Sequence, residues 1–288
     1  WARIFNFIGM GKLWAFKSSG LYCPIHYHYL LFTIFNVSLT GQGVKSMNGL
    51  VARISNLSKK YKNKTVLAPI QLDIFKGECV VLCGGNGAGK STLIKMLVGI
   101  LQPTTGEFLF HTENKKKFGY MPDQMNFQGE LTPVEILQYY GSFVQANKEK
   151  INQVLQRVGL WEQRNQKVSS FSKGMGQRLN LAQALLAEVD LYIFDEPTNG
   201  LDPFWVIEFK NIIQELKERG KSVLLSSHIM RDVVDIADRV AFIFEGEMKA
   251  CGALAEIYQT CHCSSLEEVF LSFIQGKRQD RVLASASV

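Results

Sequence analysis

No aspartate or glutamate occurs before Asp73. Residues 1–72 carry nine Lys/Arg and no acid, whereas the whole chain has a net charge of only +6, so everything after residue 72 is net acidic. The basic excess therefore belongs to the N-terminal end. It does not describe a nucleic-acid-binding face on the core, which would need Lys/Arg clustered there, and no nucleic-acid partner is expected. The six cysteines are scattered, and two of them (Cys79 and Cys83) lie in an apolar run. This excludes a disulfide scaffold and reads as a reduced chain. Cys261-His262-Cys263 has no second Cys/His cluster to accompany it, whereas a structural zinc takes about four ligands. No repeat of 20–50 residues is present. Beyond residue 46 no apolar run approaches the length of a membrane span.

The first 46 residues read differently from the rest. They hold ten aromatics, four basic residues and no acid, and they open on Trp1. The pattern of a regular domain begins at Met47. We expect 1–46 to be an extension outside the fold, upstream sequence with Met47 as the natural start. A basic, acid-free targeting segment is one alternative. A membrane span over 21–39 is another, made poor by Pro24, His26, His28 and Asn36. The folded domain is expected over 47–274, and 275–288, polar and rich in small residues, reads as a disordered tail.

From residue 50 the pattern is mixed α/β, with a composition of 47% hydrophobic and 20% charged residues that supports a real core. Runs 51–57, 70–75 and 107–110 read as strands of an antiparallel layer. Runs 78–83, 191–194 and 222–226 are continuously apolar, as strands are when a parallel sheet is covered on both faces. A later strand at 240–244 closes on the Glu245-Gly246 turn. Helices are expected over 91–101, 134–146, 148–158, 174–188, 204–219 and 230–237. A last helix at 265–273 presents Leu266, Val269, Phe270 and Phe273 on one face. Residues 125–170 lack strand signals and read as a mostly helical insertion.

The chemistry begins at Gly84-Gly85-Asn86-Gly87-Ala88-Gly89-Lys90-Ser91, which fits G-x-x-x-x-G-K-[ST] between an apolar strand run and a helical run. Glycines let the backbone turn its N–H groups toward an anion at a helix start. Lys90 would reach the β- and γ-phosphates, and the Ser91 hydroxyl would hold Mg²⁺. A hundred residues later, Leu191-Tyr192-Ile193-Phe194 ends in Asp195-Glu196. A buried strand that emits two carboxylates at its carboxyl end delivers them to the ligand crevice of the sheet. Asp195 suits Mg²⁺ through water beside Ser91, and Glu196 suits polarisation of an attacking water.

These motifs, in this order, resemble those of the nucleotide-binding subunit of an ATP-binding cassette (ABC) transporter, over roughly residues 50–274. Tyr61 stands where that family stacks an aromatic on adenine. Residues 84–91 match its Walker A loop, and Gln124, in Gly119-Tyr120-Met121-Pro122-Asp123-Gln124, matches the Q-loop glutamine. Phe171-Ser172-Lys173-Gly174-Met175 stands at the signature position, Asp195 and Glu196 at Walker B, Asn199-Gly200-Leu201-Asp202 at the D-loop and His228 at the switch histidine. The resemblance implies a P-loop NTPase (RecA-like) parallel-sheet core with an antiparallel β layer and a helical subdomain at about 125–172. It implies nucleotide contacts from Tyr61, Gly84, Gly85, Asn86, Gly87, Ala88, Gly89, Lys90, Ser91, Thr92, Gln124, Ser172 and Gly174. Metal contacts would come from Ser91, Gln124 and Asp195, and catalysis from Glu196, His228 and Lys90.

The match departs from the common pattern in places. Lys173 and Met175 alter the usual Leu-Ser-Gly-Gly-Gln signature in a way similar to ABC-2-type exporters and to subunits serving copper maturation. Gly176 stands where that branch commonly has arginine, and Gly85 replaces a frequent proline. None of these removes a catalytic group.

The resemblance thus implies an ATP-hydrolysing subunit that uses ATP and Mg²⁺ and dimerises with a second such subunit, as a homodimer or heterodimer. It would drive a separate transmembrane permease from the cytoplasmic face of the membrane, with export favoured by the signature variant. The alternatives are a soluble ABC protein acting on ribosome or DNA, and a catalytically silent regulatory subunit.

Overall fold

The computed structural model describes residues 49–275 except 113 and 115–117. The expectations for 1–46, for the start at Met47 and for the tail beyond 275 lie outside the described residues.

Among the described residues, nine strands form two sheets. β1 (Leu50–Tyr61), β2 (Lys64–Phe75) and β4 (Thr105–Phe110) make an antiparallel layer in the order β2-β1-β4. The second sheet runs β5 (Gly119–Met121), β6 (Leu191–Phe194), β7 (Ser222–Ser227), β3 (Cys79–Cys83), β8 (Arg239–Phe244), β9 (Glu247–Gly252). Its first five strands are parallel, and β9 folds back antiparallel on β8 through Glu245-Gly246, both at positive φ.

The fully apolar strands are explained by what covers them. Val80 and Leu82, with Leu191, Ile193, Leu224, Ala241 and Ile243, face a core shared with the antiparallel layer and α1 (Lys90–Leu97). The alternate residues Cys79, Val81, Cys83, Tyr192, Phe194, Val223, Leu225, Val240 and Phe242 face a second core filled by the other helices. With both faces dry there is no polar face to alternate with, so period 2 disappears from the sequence. The five cysteines among the described residues are free. Burial pushes the Cys83 thiol up to about 12 and keeps it a neutral core group. No group of three or more His, Cys, Asp or Glu that could hold a metal occurs among the described residues, so Cys261 and Cys263 have no partners for a zinc site.

The helices facing the second core are α2 (Pro133–Val144), α3 (Lys148–Arg157), α4 (Lys173–Leu185), α5 (Pro203–Glu218), α6 (Met230–Val234), α7 (Leu254–Cys261) and α8 (266–275). α2 starts in a full capping box, with Thr132 accepting from the Glu135 N–H while Glu135 reaches back to Thr132.

Several expectations need correction. The strands placed at 51–57 and 70–75 are one hairpin of two twelve-residue strands. Register shifts at Ile54/Leu57, Leu57/Lys59 and Lys59/Lys60 break the alternation that would have revealed its outer half. The helix expected to 101 stops at Leu97, before Gly99 at φ +76. The helix expected to 237 stops at Val234. β5, β9 and α7 were not foreseen; β5 has three residues, too few to show a period.

Candidate functional site

The parallel strands β3, β5, β6 and β7 all deliver their carboxyl ends to one side of the sheet. This is where open α/β sheets bind ligands. A cavity of about 510 Å³ opens there, lined by Val66, Asn86, Gly87, Ala88, Gly89, Lys90, Ser91, Thr92, Asp123, Glu196, Asn199 and His228.

The loop after β3 is shaped by close approach. A Cβ on Gly84 would stand 2.1 Å from the Ile243 carbonyl oxygen, so no other residue fits there. Gly89, at φ +111, begins α1 without any side-chain cap, leaving the first N–H groups of the helix open to an anion. Lys90 is nearly buried. Its Nζ donates to the Gly84 carbonyl at 2.8 Å and the Gly85 carbonyl at 3.3 Å, and pairs with Glu196 Oε1 at 3.1 Å.

Asp195 and Glu196 follow β6 directly. Asp195 Oδ1 accepts from Ser91 Oγ at 3.1 Å and from Ser226 Oγ at 2.6 Å. Burial raises the Asp195 carboxyl above its ordinary range; the bonds from Ser226 and Ser91 oppose this, and the nearby charges of Glu196 and Asp123 add to it. Glu196 takes a left-handed backbone conformation, φ +48, uncommon for a non-glycine residue. Its N–H donates to Ser226 Oγ at 2.8 Å, and its Oε2 lies 2.7 Å from His228 Nδ1. From α4, Gln177 Nε2 holds the Glu196 and Pro197 carbonyls at 3.4 and 3.3 Å.

The structure thus places Asn86, Gly87, Ala88, Gly89, Lys90, Ser91, Thr92, Glu196 and His228 around one cavity, with Asp195 bonded to Ser91 beside it and Gly84 and Gly85 as the carbonyls under Lys90. Four expected positions stand apart. Tyr61 is 50% exposed at the hairpin tip, with the Lys59 ammonium 4.8 Å from its ring centroid, and does not line the cavity. Gln124 is exposed and outside the lining, where its neighbour Asp123 takes part instead. Ser172 N-caps α4 by accepting from the Met175 N–H at 3.2 Å, and Gly174 lies against the Gly200 carbonyl. Neither of these two lines the cavity.

Three contributors escaped the sequence reading. Asp123 follows the short β5 and receives the Asn199 amide at 3.0 Å. Asn199 was read only as the first residue of the D-loop. Ser226 is a serine inside a buried apolar strand, and that mismatch was the available signal.

The Ser91 hydroxyl and the Asp195 carboxylate form an all-oxygen donor set of the kind Mg²⁺ selects. The residues present fit the metal.

A family model described as "ABC transporter" matches residues 67–199. The chain is 38% identical over 242 residues to the uncharacterized ABC transporter ATP-binding protein YdbJ of Bacillus subtilis (strain 168), covering 79% of each chain. It is 35% identical over 201 residues to the lantibiotic transport ATP-binding protein SrtF of Streptococcus pyogenes, covering 68% of this chain and 88% of that one. Among solved structures, an ATP-binding subunit of an ABC transporter superposes with a TM-score of 0.71 at 29% identity, over 77% of this chain and 98% of the other.

Proposed function

This chain belongs to the ATP-binding subunits of ABC transporters, which are ATPases, and on that premise we propose that the cavity above the 84–91 loop is where its ATP is held and split. The observation that carries this reading is the contact of Glu196 with both Lys90 and His228, at 3.1 and 2.7 Å, at the mouth of the loop.

The loop amides and the α1 N-terminus take the phosphate oxygens. Lys90 exchanges part of its bonding to the Gly84 and Gly85 carbonyls for the terminal phosphates, the direction its charge favours. Glu196 then loses part of its cationic partner and is free to accept a proton from the attacking water. A positioned base of this kind contributes about 10²–10⁴-fold. An imidazole that donates from Nδ1 to Glu196 keeps the carboxylate aimed and leaves Nε2 to accept a hydrogen bond from the water. Asp195 and Ser91 would hold Mg²⁺, which when bound neutralises charge developing on the phosphates.

Ser172 and Gly174, at the N-terminus of α4 and outside the lining of this cavity, suit the second half of a composite site. In a head-to-tail pair they would close over the γ-phosphate of the partner subunit, so that ATP binding closes the pair and hydrolysis releases it. Tyr61, exposed and half-free at the hairpin tip, is assigned to the adenine, and Gln124 to the metal and to the coupling of the helical region with a membrane permease.

No helix among the described residues is long and apolar enough to cross a membrane. Membrane attachment would come through the permease, at its cytoplasmic face, as the family resemblance implies. Export is favoured by the signature variant at 171–175, and relatives such as SrtF are named for lantibiotic transport. Among the described residues the longest helix, α5, has 16 residues, and none forms a long coiled-coil arm of the kind a ribosome- or DNA-acting role would use.

The test is Glu196→Gln. It should retain ATP binding and lose turnover by about two orders of magnitude. Wild-type hydrolysis in this variant would remove Glu196 from the role of base.

A further inference from the structure

Gly85, the second residue of the phosphate loop, carries no side chain, and the structure shows what occupies the space beside it. A Cβ built there would lie 3.3 Å from Cζ and 3.6 Å from Cε2 of Phe270, and no other such neighbour lies within 4 Å. Phe270 comes from α8, almost two hundred residues later. Leu266 and Val269 of that helix are fully buried. Phe270 and Phe273 pack on β8: Phe270 stands 6.1 Å from Phe242 and 6.0 Å from Phe244 between ring centroids, and Phe273 stands 5.2 and 6.4 Å from the same rings.

β8 is also the floor of the loop. The Ile243 carbonyl fills the place of a Gly84 side chain, and the Gly246 N–H donates to the Ala88 carbonyl at 2.9 Å. α8 and the loop thus share one strand. Of the two α8 aromatics on it, only Phe270 reaches past the strand to the loop. The residue it touches is the one whose carbonyl accepts Lys90 Nζ at 3.3 Å.

We propose that Phe270 is a positioning residue for nucleotide binding, a ring wedged against Gly85 that holds the first turn of the phosphate loop in its cradle shape before nucleotide arrives. A loop with several glycines has wide backbone freedom, and ordering it weakens binding by the fraction of time it is not competent. Here a remote helix supplies the restriction that a side chain at position 85 would otherwise give. The inference rests on the reading of 84–91 as the nucleotide cradle.

The experiment uses the full chain and compares Phe270→Ala, Phe270→Leu and Phe273→Ala. Three readouts serve: equilibrium binding of a fluorescent ATP analogue, hydrogen exchange at the 84–90 amides, and steady-state ATP hydrolysis. Phe270→Leu keeps an apolar group on β8 but withdraws the ring edge from Gly85, and it answers the question if the alanine variant does not fold. Both Phe270 variants should raise Kd and KM by about two- to fivefold, the size of a glycine's extra backbone freedom. They should speed exchange in the loop and leave kcat within about twofold of the parent. Phe273→Ala, which loses packing on the same rings without touching Gly85, should lower thermal stability and leave Kd unchanged.

An unchanged Kd in folded Phe270→Leu overturns the proposal, as does an equal rise in Phe273→Ala. Lys90→Ala run alongside separates the premise: if it binds the analogue like the parent, the cradle reading fails instead.

Discussion

Replacing Ser226 with alanine removes a single hydroxyl that is fully buried. That oxygen accepts from the Glu196 N–H at 2.8 Å and donates to Asp195 Oδ1 at 2.6 Å. Leaving a buried backbone donor without a partner costs about 1–3 kcal/mol, and a hydrogen bond to a charged group is worth about 1.5–3 kcal/mol. The two losses share one atom and will not add in full, so we expect the variant to be less stable by about 2–4 kcal/mol in urea unfolding. The pH dependence adds a signature. Asp195 already stands above its ordinary value because of burial, and Ser226 is one of the bonds that pull it back. A carboxyl whose folded pKa is raised contributes stability that is fully present below the unfolded value, 3.8, and is lost as pH rises through the folded one. Without Ser226 the folded value climbs further and the loss extends to higher pH. The difference between variant and parent should therefore be smallest under acid conditions and grow toward neutrality. Turnover should fall as well, by about ten- to a hundredfold, because the same hydroxyl fixes the strained backbone of Glu196. A variant within about 0.5 kcal/mol of the parent and with the same pH slope would refute the idea that this hydroxyl organises the two carboxylates.

Lys90→Ala should lower nucleotide affinity by at least about tenfold, since it deletes the buried cation that meets the terminal phosphates; isothermal titration with ATP checks this. Thr132→Ala breaks the capping box of α2, which does not line the cavity, and should cost about 1 kcal/mol in a urea melt with no change in ATP affinity. A coupled loss of affinity would mean that this helix end communicates with the site.

Much of the site was legible because its chemistry is local. A glycine loop between a strand and a helix is written in eight consecutive residues, and the two carboxylates that end β6 are adjacent in the chain. Their meeting across the sheet follows from one topological rule, that parallel strands open their carboxyl ends to the same side. The reading stopped where a contact depends on register or on distant packing. Asp123 enters the cavity at the end of a strand too short to show periodicity. Tyr61 and Gln124 carry family positions, yet both are exposed and stand outside the cavity lining. The hairpin of β1 and β2 was half seen, because its bulges interrupt alternation just where the strands become exposed and lysine-rich.

The sequence alone determined the class of chemistry, since the glycine loop and the Asp195-Glu196 pair each lie at a strand end and need only their neighbours to be recognised. The tertiary structure decided how those groups are held. Ser226 ties the Asp195 carboxylate to the Glu196 backbone from the next strand, Lys90 shares its charge with Glu196, and Phe270 reaches the loop from the last helix. Each of these joins residues separated by thirty or more positions, through a buried hydrogen bond, an ion pair or a packed ring. Only the completed sheet brings such pairs within a few ångströms, so no local pattern could have announced them.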